Sequence, residues 1–429
     1  MQETKNKRVV TGVGLLFALY IISWQCYTGK DIRLLLYGGY AIVCSLTFIK
    51  LMFSGYGTTI QLPKPAERLF LFSIFCASST LWAINSSGAI NESIFIFACV
   101  IMVILLSNYF IRLGNVDILF MTIILMGIAM ATVVIIREGG LGAFYERATI
   151  SAEIQARYGI RVGGDVFNAN ALGMCCGYSS VLLLFFAIFY KKWYCYVLMI
   201  IPLVALIASA SKKAIILLVI GFMMVVYYSL KQRRDFQKYA KIFFGGIVLV
   251  FILRFVLSMD IMYTVTRRME TFLNMFNSDN TASVDNSSSI RFSLITEGIK
   301  QFFKTPFFGL GMSGSVNLNR SKLNFPAYSH CDYVEHLVNG GLIGFLLYYS
   351  VFIMLIKDYV ILMKKDDDPK LILSFIFMIL FLAMNFACVT YYIEMTTYLY
   401  FILWISQIEI KKRELAEKEK TDNMVIDNE

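Results

Sequence analysis

Long apolar runs recur along the sequence and limit the folds that the chain can adopt. The first run, VVTGVGLLFALYIISW, covers residues 9–24. A transmembrane helix needs about 17–25 largely apolar residues, and about twelve such runs can be drawn. They are approximately residues 9–24, 34–53, 69–84, 94–111, 117–136, 166–189, 193–209, 214–229, 241–258, 337–356, 371–391 and 395–409.

The composition excludes a water-soluble globular protein. Hydrophobic residues make up 58% of the chain and charged residues only 16%. That much apolar surface does not fit inside a soluble core of this size. The sequence therefore predicts an all-α polytopic membrane protein with about twelve transmembrane helices.

The basic residues predict the orientation of the chain in the membrane. The terminal stretches KNKR and KKRELAEKEK place both ends in the cytoplasm, because cytoplasmic segments collect lysine and arginine. The predicted organisation is helices one to five in 1–136, an outer loop in 137–165, helices six to nine in 166–258, a large extracytoplasmic loop between spans nine and ten in 259–336, helices ten to twelve in 337–409, and a charged cytoplasmic tail in 410–429. The net charge of +10 is attributed to individual arginines rather than to a nucleic-acid surface, and no nucleic-acid partner is predicted.

The large outer loop contains an amphipathic segment, IRFSLITEGIKQFFK. Its apolar residues recur at helical spacing, and Arg291 lies on or beside the polar side. Such a helix can rest in the membrane interface, or it can simply cover the helix bundle. Pro306 is expected to end it.

Residues 309–314 read GLGMSG, the glycine spacing of a dinucleotide-binding turn. That fingerprint requires a strand before it, a helix after it and an acidic residue about 20 positions further on, and the sequence supplies none of them. The glycines are therefore interpreted as a turn whose backbone passes close to something bulky.

The two histidines of the chain, His330 and His336, both follow this turn. Their spacing does not place them on one helical face, so a shared zinc site is not predicted. Asp332 and His336 have i, i+4 spacing and are predicted to pair. His330 lies at a boundary between loop and helix, where an imidazole can face both water and substrate. The alternative for each histidine is a hydrogen bond that only holds a loop.

Cations also cluster at two other predicted outer positions. Arg157 and Arg161 precede the sixth apolar run, and Lys212 and Lys213 occupy a very short turn. Cations at such depths are costly unless they meet an anion. The alternative interpretation is that these cations reach up to lipid phosphates. This interpretation explains the lysines well and the clustered arginines less well. Of the nine cysteines, only Cys26 and Cys331 are expected near the outer face.

Several of these pieces follow one another in a fixed order. They are RVGG from Arg161 with Asn168 and Asn170, Ser211 with Lys212, Arg291, and Pro306 to Gly311 leading to HCDY from His330 and GLIG from Gly341. In this order they resemble the O-antigen ligase and polymerase superfamily of bacterial envelope assembly, which includes capsule repeat-unit polymerases. The family often has Ser-Arg in place of Ser211-Lys212 and His-Asn in place of His330-Cys331.

The resemblance implies a C-type glycosyltransferase fold acting at the outer face of the bacterial plasma membrane. A polyprenyl-pyrophosphate-linked oligosaccharide is the implied substrate, polymerised into capsule or O-antigen by transfer to a sugar hydroxyl of the next lipid-linked repeat unit. Arg161 and Arg291 are implied to hold the leaving pyrophosphate, and His330 to accept the hydroxyl proton. The implied substrate-binding residues are Arg157, Asn170, Lys212, Gly309, Gly311 and Gly314.

No metal and no cofactor are expected, because fixed arginines would take the place of a metal at the leaving group. The Asp366–Asp368 run, flanked by lysines, is predicted to lie on the inner side, across the bilayer from His330. Besides the lipid bilayer, a chain-length regulator and a flippase are the partners considered. A ligase that delivers finished glycan to another acceptor would share the same arginines and histidine. A flippase or transporter is the more distant alternative, because its internal repeats are not found.

Overall fold

A computed structural model describes residues 2–27, 33–53, 60–113, 115–144, 146, 168–231 and 286–426. All regular secondary structure within these ranges is helical. The predicted all-α class is therefore confirmed. Arg157, Arg161 and the ninth apolar run, 241–258, lie outside the described residues.

Thirteen α-helices are defined in this part of the chain. They are α1 (Gln2–Cys26), α2 (Arg33–Phe53), α3 (Lys64–Ser78), α4 (Ser86–Leu113), α5 (Asp117–Arg137), α6 (Ala169–Phe189), α7 (Tyr194–Ala208), α8 (Lys212–Lys231), α9 (Asn286–Phe302), α10 (Gly314–Leu323), α11 (Asp332–Lys365), α12 (Pro369–Met384) and α13 (Thr396–Ile426). A 3₁₀ turn, Ser79–Leu81, follows α3.

Six helices are long and apolar enough to cross a membrane. They are Leu35–Phe53 in α2, and α4, α5, α6, α8 and α11. Three further apolar helices are shorter, namely Gly12–Cys26 in α1, α7 and α12. A polytopic membrane protein is thus confirmed, while the count of twelve spans stays a prediction.

Helix ends differ from the predicted apolar runs, and the start of α3 and the end of α13 show why. The third run was expected at 69–84, whereas α3 begins five residues earlier, with Pro65 in its first turn. The last run was expected to end at 409, yet α13 continues to Ile426. Its tail, KKRELAEKEK, consists of residues that favour a helix without needing a bilayer, so apolar content alone could not set the end.

The chain divides into two compact units. One unit comprises residues 1–21, 31–120 and 290–429, and the other comprises residues 22–30 and 121–289. We call them the first and the second unit.

In the second unit, α6 packs against α7 and α8. Gly173 and Gly177, one turn apart on α6, make this close packing possible. A Cβ atom at Gly173 would lie 2.7 to 2.9 Å from Ser209, Ser211 and Ala214. Small residues at i and i+4 let helices in a membrane approach closely.

In the first unit, α3 packs against α4 and α11, α4 also packs against α2 and α13, and α12 contacts α11 and α13. Gly340 and Gly344 of α11 form a groove that receives the ring of Phe75 from α3. A Cβ atom at Gly344 would lie 2.8 Å from Cε1 of that ring. Gly340 and Gly344 therefore seat α3 on α11.

The two ends of the first unit differ in charge. At one end Lys370 pairs with Asp117 at 2.6 Å, and Lys411 lies 2.7 Å from Asp366 and 3.5 Å from Asp368. His330 precedes α11 and Asp366 follows it, so about 50 Å of helix separates them. The acidic run thus lies at the far end of α11 from His330. Two of its carboxylates, those of Asp366 and Asp368, pair with Lys411.

Candidate active site

Helix α11 is broken at Gly341, and a loop forms hydrogen bonds with the backbone groups at the break. Gly341 has φ 59° and ψ −161°, which no α-helix contains. The amides of Leu342 and Ile343 donate to the carbonyls of Pro306 and Phe307 at 2.7 and 3.1 Å, and the amide of Leu310 donates to Val338 at 2.8 Å. Residues 306–310 are therefore fastened to the break.

Close packing explains the glycines of GLGMSG. A Cβ atom at Gly309 would lie 2.6 Å from the amide nitrogen of Gly341, and one at Gly311 would lie 2.6 Å from Ala83. At Gly314 it would lie 2.5 Å from the Cβ atom of Leu310. The bulky neighbour expected from the sequence is thus the protein's own chain, and the predicted contact of these glycines with substrate stays a prediction.

Glu335, in the first turn of α11, is a fully buried carboxylate. One oxygen, Oε1, accepts from the hydroxyl of Ser315 and, at 2.8 Å, from the hydroxyl of Tyr392. The other, Oε2, accepts from the backbone amide of Ser329 at 2.7 Å. Burial and the negative charge of Glu335 hold the pKa of Tyr392 well above its usual range, so its phenol keeps the proton that it donates. Glu335 thereby joins α10, α11 and the segments on both sides of them.

Polar contacts extend from this carboxylate through the same end of the unit. Asn339 accepts from the amide of Ser315 at 2.8 Å and donates to the hydroxyl of Tyr391 at 3.0 Å. Ser313, with φ 62°, donates to Glu92 of α4 from both its amide and its hydroxyl. The loop before α10 is therefore held by buried hydrogen bonds to two helices.

The predicted pair of Asp332 and His336 is confirmed. Nε2 of His336 lies 3.3 Å from Oδ2 of Asp332, and both side chains are buried. The imidazole is stacked between Tyr348 and Tyr391, with ring centroids 4.2 and 3.8 Å away. Asp332 also accepts from the hydroxyl of Tyr349 and the amide of Thr390, both at 2.9 Å. His336 is thus a buried packing residue.

His330 lies at the predicted boundary, two residues before α11, and is half-buried. Its φ of 59° places it in the left-handed region, which costs a residue other than glycine about 1–3 kcal/mol. Its ring contacts that of Tyr328, with centroids 4.4 Å apart. Strain of this kind persists only where the surrounding structure imposes it.

Arg291 approaches the same tyrosine from α9. The predicted amphipathic helix is observed, although it ends at Phe302 rather than at Pro306. It packs on α11, because Gly298 fits against Val334 and Val338. Burial raises the pKa of Tyr328, the charge of Glu394 adds to the rise, and the charge of Arg291 opposes it. The charge of Arg291 therefore acts on the same tyrosine whose ring contacts His330.

The side chain of Cys331 is buried. It is 5% exposed and packs in a cluster with Leu318, Val334 and Val338. Burial also raises the pKa of its thiol. Cys331 directly precedes α11, and the expectation that it lies near the outer face stays a prediction.

In the second unit, two of the predicted pieces contact each other. The side chain of Asn168 caps α6 by accepting from the amide of Asn170 at 2.9 Å. The hydroxyl of Ser211 donates to Oδ1 of Asn170 at 3.1 Å. Lys212 follows as the half-buried first residue of α8. Asn170 and Lys212 are thus brought to neighbouring helix ends.

No local sequence pattern indicated the buried network. Glu335 reads as an ordinary acidic residue in the first turn of a helix, where it complements the helix dipole. Its partners Ser315, Ser329 and Tyr392 come from three separate segments and share no spacing with it. Only the rarity of a carboxylate inside such an apolar segment could have marked it.

Fold and site together define a multi-pass helical membrane protein with a strained histidine and an arginine at one end of its helices. Residues 197–349 match the family model described as O-antigen ligase. The predicted resemblance to the O-antigen ligase and polymerase superfamily is confirmed by this match, which includes Lys212, Arg291 and His330. Members of this family transfer glycans in surface glycan assembly. Comparison with curated proteins gives no significant match.

Proposed function

We propose that the protein polymerises polyprenyl-pyrophosphate-linked oligosaccharide repeat units into capsule or O-antigen at the outer face of the bacterial plasma membrane. The observation that carries the proposal is that the ring of His330 contacts Tyr328, while the charge of Arg291, from a separate element, acts on the same tyrosine. A base and a cation are the combination that glycan transfer from a diphosphate donor requires. The location rests on the distribution of basic residues along the chain.

The reaction forms one bond and breaks one. The acceptor hydroxyl oxygen bonds to the anomeric carbon of the donor while the bond from that carbon to the pyrophosphate oxygen breaks. His330 takes the hydroxyl proton, since an ordinary imidazole, with a pKa of about 6.5, is largely neutral at pH 7. The polyprenyl pyrophosphate leaves with the electron pair.

Arg291 meets the charge of the leaving pyrophosphate, together with Arg161 in this proposal. A guanidinium group binds two phosphate oxygens at once and keeps its charge at any physiological pH. No carboxylate of the described residues forms an ion pair with Arg291. Arg157, Asn170 and Lys212 are proposed to bind the donor.

Tyr328 supplies a hydroxyl on the ring that contacts His330. Because its pKa is raised, the phenol stays protonated at neutral pH and can donate to an oxygen of either substrate. We propose that it orients the acceptor sugar between His330 and Arg291.

A ligase is the second candidate, and the description of the matched family favours it. It would use the same base and cations, with a different acceptor in place of the next repeat unit. The two functions differ only in which hydroxyl receives the glycan, so the acceptor must be varied to separate them.

The test uses purified protein in detergent with lipid-linked repeats, either alone or with a second glycolipid acceptor. A ladder of products from repeats alone is expected and identifies a polymerase. Transfer only to the second acceptor would identify a ligase, and the absence of any new glycosidic bond would refute glycan transfer.

The same assay tests the residues. His330→Ala should lower the rate by about a hundredfold to ten-thousandfold, the usual worth of a general base. Arg291→Ala should also abolish long chains, and Arg291→Lys should restore them poorly. Arg320→Ala is the matched control, because Arg320 is an exposed arginine of α10. Long chains from both His330→Ala and Arg291→Ala at normal protein level would refute the assigned site.

A further inference from the structure

The contacts of Glu335 bear directly on the backbone that carries His330. The amide of Ser329, the residue before His330, donates to Oε2 of Glu335 at 2.7 Å. The residue after it, Cys331, donates its amide to Oγ of Ser329 at 3.3 Å, and that hydroxyl donates to the carbonyl of Cys331 at 2.8 Å. The residues on both sides of His330 are thus joined to each other by hydrogen bonds, and Ser329 is also bonded to the carboxylate of Glu335.

Stability of the fold does not by itself account for this carboxylate. Removing a carboxylate from water is costly, and a well-packed apolar side chain often stabilises a protein as much or more. The described partners of Glu335 are neutral donors, so a lysine or arginine does not offset its charge. What the carboxylate offers is two oxygens that accept in different directions, one toward Ser329 and one toward Ser315 and Tyr392.

Glutamine could keep the contact with Ser329 in one orientation. Its oxygen would accept from that amide, and its NH₂ group would donate to the hydroxyls of Ser315 and Tyr392, which can accept as well as donate. Leucine has a similar size but no acceptor, and it would leave the amide of Ser329 unpaired. The hold on Ser329 therefore requires an acceptor oxygen at this position.

We infer that Glu335 is a positioning residue that holds the His330 segment in its strained, reactive conformation. It acts through the amide of Ser329 and does not itself contact the substrate. The catalytic part of this inference rests on the proposed function, whereas the hold on His330 can be measured without any glycan.

The first experiment measures the chemical reactivity of His330. Diethyl pyrocarbonate modifies imidazoles, and of the two histidines His336 is only 1% exposed, so the accessible reaction is at His330. His330→Ala assigns the signal. Glu335→Leu removes the acceptor for the amide of Ser329 and should speed modification on the order of fivefold, the factor set by the net worth of one hydrogen bond.

Two controls separate the hold on Ser329 from a general effect. Tyr392→Phe removes a donor from the same carboxylate but leaves the contact with Ser329, and should keep the wild-type rate. Glu297→Gln removes an exposed carboxylate that pairs with Lys300, and should also leave the rate unchanged. Glu335→Gln keeps an oxygen for the amide of Ser329 and should stay near the wild-type rate. Glu335→Asp has a shorter reach and should be intermediate. It also serves as the test variant if the leucine variant does not fold.

The second experiment measures transfer with the same proteins. Glu335→Leu should lower kcat on the order of tenfold to a hundredfold, as displaced catalytic groups do, with KM for the lipid-linked donor nearly unchanged. Equal modification of His330 in wild type, Glu335→Leu and Glu335→Asp would overturn the inference. Altered modification in these variants, together with a wild type that transfers no glycan, would instead refute the proposed function and leave the positioning role standing.

Discussion

Replacing Gly309 with alanine tests how the loop fits the break in α11. Gly309 has φ 66°, and the new Cβ atom would lie 2.6 Å from the amide nitrogen of Gly341 and from the carbonyl oxygen of Val338. Both neighbours are backbone atoms, which cannot turn aside as a side chain can. The loop must therefore lift from α11 to accept the methyl group.

The expected cost follows from these contacts. A left-handed φ costs alanine about 1 kcal/mol relative to glycine. Lifting the loop also breaks the three backbone hydrogen bonds between residues 306–310 and the break, each with a net worth of about 1 kcal/mol. Gly309→Ala should thus lower the free energy of unfolding by about 4 kcal/mol.

Gly140→Ala is the matched control. Gly140 has a similarly positive φ of 98°, but no atom lies within 4 Å of the position of its Cβ. It should lose only the conformational part, about 1 kcal/mol. Both variants are compared with wild type by reversible unfolding in mixed detergent and SDS micelles. Equal losses for the two variants would show that contact with the break does not matter.

Three further outcomes are expected. Lys322 is exposed on α10, so a cysteine introduced there by Lys322→Cys should react with an impermeant maleimide in intact cells that lack Cys26. Labelling only in inverted vesicles would show that the predicted topology is reversed. Asp332→Ala should lose about 1–3 kcal/mol in the same unfolding assay, because the amide of Thr390 and the hydroxyl of Tyr349 both lose their acceptor; an unchanged value would contradict this. Glycan transfer should persist in excess chelator, and activity restored only by magnesium or manganese would contradict the arginine-based mechanism.

The helices were predictable because lipid and water impose different side chains on them. Apolar runs located most of the described helices within a few residues, since a spanning helix must be apolar along its length. Their ends were less predictable, because helix-favouring charged residues continue α13 into its tail, and Pro65 starts α3 before its apolar part. The i, i+4 pair of Asp332 and His336 was predictable because it depends only on local helical geometry.

The packing around His330 was not predictable from local patterns. The spacing of GLGMSG indicated a close approach, but not that the neighbours would be Val338, Gly341 and Ala83. Glu335 draws its donors from distant parts of the chain, so no window of sequence contains the network. The burial of Cys331 was not predictable for the same reason, since it depends on where α10 packs.

The break at Gly341 also bears on how the protein is made. A span that enters hydrocarbon with unsatisfied amides and carbonyls is costly, so the groups at the break need their partners when α11 inserts. Those partners, residues 306–310, precede α11 in the chain and leave the ribosome first. The order of synthesis therefore delivers the loop before the helix that depends on it. A permuted chain that began after residue 310 would have to insert α11 with its break uncovered.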